Sequence, residues 1–127
     1  DTVTADQMDL LDRLLVPTMS LSCQVYMRSV DVPVGLPFNI ASYALLTQLM
    51  ANECGMSLGR LVMSLGDAHI YHDQTPMVED MLTRTPNPSP RLHLHTSTNI
   101  TNHTVADIVA GLSGYDPHPH LRIPVSV

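Results

Sequence analysis

The chain has no lysine, only two cysteines, and no apolar run approaching the ~20 residues needed to cross a bilayer. Without lysine, six arginines face twelve carboxylates, for a formal net charge of −6. So negative a chain is a poor partner for a polyanion, because nucleic-acid affinity rests on neutralising many phosphates. A single phosphate is a smaller demand, met by two or three well-placed arginines. Cys23 and Cys54 lie in apolar segments and form no C-x-x-C pair, which predicts reduced, buried thiols rather than a disulfide framework. The N-terminus lacks the basic-then-apolar layout of a signal peptide. These absences point to a cytoplasmic setting, with neither membrane nor nucleic acid as partner.

The remainder fits at most one domain. An apolar content of 44% over 127 residues is enough to bury a core. Residues 1–16 read as a helix, with Thr4 and Gln7 as a capping pair and Met8, Leu11 and Leu15 at helical spacing. Pro17 ends it. Residues 21–27 alternate and favour a strand, and two prolines with a glycine make 32–37 a turn or loop. Asn39–Cys54 is the clearest helix, apolar around most of its circumference and therefore expected to be buried, with Gly55 placed as its C-cap glycine.

Beyond it, Leu61–Leu65 reads as a short strand ending at Gly66-Asp67, and 69–72 as extended or turn structure. A helix is expected near Pro76–Arg84, and the prolines at 86, 88 and 90 force an extended connector. Residues 91–96 alternate as a strand, Val105–Leu112 form a short helix or turn, and 114–127 are a proline-punctuated tail. Mixed strands and helices predict an α/β or α+β domain with one helix buried at its centre.

Three segments carry polar groups that a plain core does not require. Arg28 and Ser29, after the first strand, suit a phosphate through a guanidinium fork and a hydroxyl. The alternative is a surface arginine paired with Asp31. Asn39 opens the apolar helix, where it is either an N-cap or an amide whose donor and acceptor edges match N3–H and O4 of uracil. His69 and Tyr71, two apart on an extended segment, project to one side and could hydrogen-bond a sugar hydroxyl. The seven histidines invite a metal, but neither His93 with His95 nor His118 with His120 has a thiol or carboxylate partner at zinc spacing, so no metal is expected.

Together these segments fall in a recognisable order. The run Leu21-Ser22-Cys23-Gln24-Val25-Tyr26-Met27-Arg28-Ser29-Val30-Asp31-Val32 resembles a phosphate-binding strand of the thymidylate synthase family, which includes deoxypyrimidine hydroxymethylases. Gly35-Leu36-Pro37-Phe38-Asn39-Ile40-Ala41-Ser42-Tyr43-Ala44-Leu45-Leu46 resembles its most recognisable block, and Gly66-Asp67-Ala68-His69-Ile70-Tyr71 the next. Arg84, then Gly114-Tyr115-Asp116-Pro117-His118-Pro119, then the ending Ile123-Pro124-Val125-Ser126-Val127 complete the pattern. The resemblance covers 21–127, the C-terminal portion of the family's mixed sheet with a buried central helix, and leaves 1–20 as a divergent helix and linker.

The resemblance implies roles position by position. Arg28 and Ser29 would bind the 5′-phosphate. Asn39 would read the base, favouring dUMP over dCMP because it is not aspartate. His69 and Tyr71 would hold the 3′-hydroxyl. Asp31 and Gly35 would lie against 5,10-methylenetetrahydrofolate, and Val127 would close over the ligands. A homodimer, or a partner chain supplying the N-terminal half, would complete the site. The family nucleophile, a cysteine in Pro-Cys-His that attacks C6 of the pyrimidine, has no counterpart here. Smaller departures are Met27 for glutamine, Pro33 for an aromatic and Gln74 for histidine. The expected function is therefore part of a folate-dependent one-carbon transfer to C5 of dUMP. The alternatives are a dUMP hydroxymethylase and a truncated, non-catalytic binding or structural subunit.

Overall fold

The computed structural model describes residues 3–14, 16–94 and 100–125. Its elements are α1 (Ala5–Arg13), β1 (Ser20–Asp31), α2 (Gly35–Glu53), β2 (Ser57–His69), a 3-10 turn (His72–Gln74), α3 (Thr75–Thr83), β3 (Arg91–Leu92), a second 3-10 turn (Ile100–Asn102), α4 (Val105–Gly111) and β4 (Leu112–Ser113). The mixed α/β class is as expected. No described helix is long and apolar enough to cross a membrane.

The organising unit is β1–α2–β2. The strands pair in parallel from Ser20↔Ser57 to Asp31↔His69, with one irregularity between Leu21 and Cys23. Parallel pairing requires a crossover, and α2 supplies it while packing on both strands. Val25, Val30 and Ala51 are buried in this unit, and the buried Thr47 hydroxyl is satisfied by donating to the Tyr43 carbonyl at 2.6 Å.

Both strands are longer than their patterns suggest. β2 runs through Gly66 rather than stopping there, because the glycine permits close approach to β1. A Cβ at Gly66 would stand 2.6 Å from the Arg28 carbonyl oxygen. Helix α2 also starts earlier, at Gly35, inside the stretch expected to be loop. Pro37 falls in the first turn, where backbone N–H groups have no intrahelical partner, so proline costs little. The helix stops where expected, with Cys54 as C-cap and Gly55 following at φ +64°.

Only one side of α2 is covered. Phe38 is 73% exposed, and Ile40, Leu46 and Met50 are exposed with it. The opposite face of the strand pair is also open, with Tyr26 at 74% and Val62 exposed. Cys54 is exposed rather than buried because it lies past the last helical turn, and Cys23 is half-buried.

Helix α1 is shorter than the 1–16 expected, and begins with the reciprocal Thr4–Gln7 pair. Of the strand expected at 91–96, the described residues 91–94 are strand only at Arg91–Leu92, paired antiparallel with β4. Leu15, His95 and Val127 lie outside the described residues.

From Gly114 to Val125 an arm without helix or strand returns along α3 and the proline connector, held by side-chain bonds. Asn87 Nδ2 donates to the Asp116 carbonyl, His118 Nε2 to the Thr85 carbonyl, and Arg84 Nη1 to the Pro119 carbonyl, each at 2.7 Å. A carbonyl only accepts, so Nε2 of His118 carries the proton.

Candidate functional site

The parallel register decides where the polar groups meet. Ser29 stands opposite Asp67, and Asp31 opposite His69, so both strands deliver their chemistry at their carboxyl ends. Helix α2 begins four residues after β1 ends, which brings Asn39 to the same end. Open α/β units commonly place ligands outside the carboxyl ends of their parallel strands.

Asp31 is central. Its Oδ1 accepts from the Val34 amide at 3.4 Å, across the turn into α2, and its Oδ2 accepts from Gln74 Nε2 at 2.9 Å. A carboxylate offers about four acceptor positions, so capacity remains for a ligand N–H. Asp31 therefore does not partner Arg28. Arg28 is exposed, and its side chain has neither hydrogen bond nor ion pair among the described residues. Strand alternation sends Arg28 and the half-buried Ser29 to opposite faces of β1, so the strand alone does not bring the two together.

Asn39 is not an N-cap. Val34 holds that position, and Asn39 lies one turn inside the helix, its Nδ2 donating to the Gly35 carbonyl at 2.7 Å. That bond fixes the amide plane and leaves Oδ1 and one N–H available. Gly35 sits between the site's two polar groups. A Cβ there would stand 3.8 Å from Asn39 Nδ2 and 3.9 Å from the Asp31 Cβ, ordinary contact distances.

His69 and Tyr71 are brought together as their spacing suggested, their ring centroids 5.0 Å apart at an interplanar angle of 82°. His69 Nδ1 donates to the Asp67 carbonyl at 3.1 Å and lies 3.6 Å from the Asp67 carboxylate, which leaves Nε2 open to a ligand. An adjacent hollow of about 380 Å³ lies between the β1–α2 turn and the arm, lined by Pro33, Val34, Phe38, Leu121 and Ile123 with His120 and Arg122. Among the described residues no cluster of three or more His, Cys, Asp or Glu is placed to hold a metal ion.

Neither cysteine approaches this end. Cys23 lies eight strand residues before Asp31, roughly 26 Å away at the strand rise. Cys54 lies fifteen residues after Asn39, roughly 22 Å along the helix.

Gln74 was visible in the sequence only as a glutamine in a histidine's place. The structure makes it the most buried side chain of the site. No sequence pattern marks that burial, because Gln74 closes a single 3-10 turn without periodicity.

A parallel strand–helix–strand unit with amide, carboxylate, imidazole and phenol groups at one end defines an α/β protein with a polar candidate site at the carboxyl ends of its strands. The thymidylate synthase family model matches residues 7–127, and the chain belongs to that family. A thymidylate synthase-type role in nucleotide biosynthesis follows at that level of detail.

Proposed function

We propose that the carboxyl end of the β1–α2–β2 unit binds dUMP and serves a folate-dependent one-carbon transfer to C5 of the base. The observation carrying this reading is the parallel register that sets Ser29 and Asp31 against Asp67 and His69 at the end where α2 begins with Asn39 in its second turn, with Tyr71 joined to His69 by their ring contact. Ser29 offers a hydroxyl to the 5′-phosphate from the same face of β1 as Asp31, and Arg28, on the other face with its side chain unpaired among the described residues, is assigned to the same phosphate by reaching around the open strand edge. The free Oδ1 and N–H of Asn39 match N3–H and O4 of uracil. Nε2 of His69 accepts from the 3′-hydroxyl, with the Tyr71 phenol beside it.

The folate side falls at Asp31 and Gly35. The residues fit such a group on three counts: spare acceptor capacity on Asp31, no Cβ at Gly35, and the apolar hollow alongside, sized for a ring system. Methylenetetrahydrofolate would supply the one-carbon unit, while Asp31 binds and orients an N–H edge and Val34 and Phe38 exclude water from one ring face. Val127 is assigned the closing position at the end of the arm.

Attack on C6 needs a thiol, and both thiols here stand more than ~20 Å away by element rise. The nucleophile is thus assigned to residues outside these 127, and a dUMP hydroxymethylase shares that requirement. The open faces of α2 and the strand pair suit a second copy or a partner chain that supplies the family's N-terminal half. The distance of both cysteines also favours a second reading, a non-catalytic nucleotide-binding subunit.

Asn39→Asp tests the base assignment. A carboxylate prefers the cytosine edge, so binding should shift from dUMP toward dCMP by at least tenfold in equilibrium dialysis. An unchanged preference removes Asn39 from recognition. Loss of the C5 hydrogen of dUMP in the complete assembly separates the enzyme from the binding subunit.

A further inference from the structure

We propose that Gln74 is a positioning residue that fastens the C-terminal arm to Asp31, so that placing the arm and orienting the folate-side carboxylate are one event. The inference rests on the reading of Asp31 given above. Gln74 is fully buried and hydrogen-bonds three separate parts of the chain. Its Oε1 accepts from the Tyr71 amide at 3.1 Å, while Nε2 donates to Asp31 Oδ2 at 2.9 Å and to the Pro124 carbonyl at 3.0 Å. The partners leave no freedom to flip the amide, since one is a donor and two are acceptors.

This arrangement is specific to an amide. One acceptor and two simultaneous donors, without charge, are what a glutamine terminus provides. A neutral imidazole has one N–H, so a histidine at this position could not serve both Asp31 and Pro124 unless protonated.

The bond to Pro124 also stands alone. Residues 116–119 of the arm are tied by Asn87, His118 and Arg84, whereas 120–125 receive no other hydrogen bond among the described residues. Residues 120–125 therefore hang on the same side chain that holds Asp31. The Tyr71 amide adds the sugar side to this node. One buried residue thus joins the proposed ribose, folate and closing elements.

The test uses Gln74→Leu and Gln74→Glu in the full chain, with its partner where one is required. Gln74→Glu keeps the acceptor for the Tyr71 amide and nearly the same shape, but loses both donors and sets a carboxylate against Asp31. It carries the test should Gln74→Leu unfold. The ¹⁵N heteronuclear NOE at Ile123 and Val125 should fall in both variants. Binding of tetrahydrofolate to dUMP-saturated protein should weaken at least tenfold in both variants, while in Gln74→Glu, which keeps the acceptor for the Tyr71 amide, dUMP alone binds within twofold of wild type. A general packing defect would weaken both ligands together, and that result overturns the proposal. An unchanged NOE at Ile123 and Val125 also overturns it. If wild type binds no dUMP, the site reading itself falls, while the NOE still decides whether Gln74 holds the arm.

Discussion

The β1–α2–β2 unit and the C-terminal arm meet at one site but are built differently. The unit is held by a continuous parallel ladder and by a helix packed on both strands. The arm has no ladder beyond β4, and four side-chain bonds to Asp116, Thr85, Pro119 and Pro124 hold it. Opening a ladder is cooperative, whereas single side-chain bonds contribute about 1 kcal/mol each and break one at a time. The difference suits a site with a fixed floor and a closing edge. Asn39, His69 and Tyr71 ride on the unit, and the residues that would cover a ligand ride on the arm.

Substitutions that strike one region and spare the other test this division. Gly66→Ala should have the largest effect on stability. Its Cβ would meet the Arg28 carbonyl oxygen at 2.6 Å, and backbone on both strands must shift. Overpacking of this kind costs roughly 1–3 kcal/mol in urea unfolding, and dUMP binding should fall with it because the Ser29–Asp31 and Asp67–His69 ends separate. Arg84→Ala attacks the arm alone. It removes the donor to Pro119 and a partly exposed ion pair with Asp80 at 3.1 Å, and should cost about 1 kcal/mol. Amide exchange near His120 and Leu121 should rise while β1 and β2 stay protected. Equal loss of protection in both regions would show that the arm and the unit open together.

Gly35→Ala should have the smallest effect on stability, of favourable sign. The added methyl meets only ordinary contacts and replaces glycine at the helix start, a gain of up to ~0.5 kcal/mol. It also fills the gap between Asn39 and Asp31, so ligand affinity should drop several-fold in the same protein. A stabler protein with unchanged affinity would mean that Gly35 does not border the ligand.

Much of the unit was legible because periodicity and caps announce it. Alternation marks β1, the apolar helix marks α2, and Gly55 marks its end. The misreadings came from glycines and prolines taken as breaks. Gly66 serves close strand approach, and Pro37 sits where helices tolerate proline. Burial of α2 was overestimated because apolar composition shows that a helix seeks cover, not how much cover these residues supply.

The arm was far less legible. Its bonds join single side chains to carbonyls 29 to 50 residues away, and such pairings leave no periodic trace. Arg84 and Gln74 were therefore visible only as members of a resemblance, without their partners. The grouping of His69 with Tyr71 was readable from spacing alone. The placement of Asp31 against Gln74 rather than Arg28 was not.

The central claim is that the nucleotide sits at the carboxyl ends of β1 and β2. Titration of ¹⁵N-labelled protein with dUMP tests it most directly, in the assembly with any required partner. Amide shifts should concentrate at 28–31, 35–39 and 69–71, and leave 20–24 and 52–57 unmoved. Shifts centred on Cys23 and Cys54 at the other end of the unit, or no saturable shifts at all, would contradict the account.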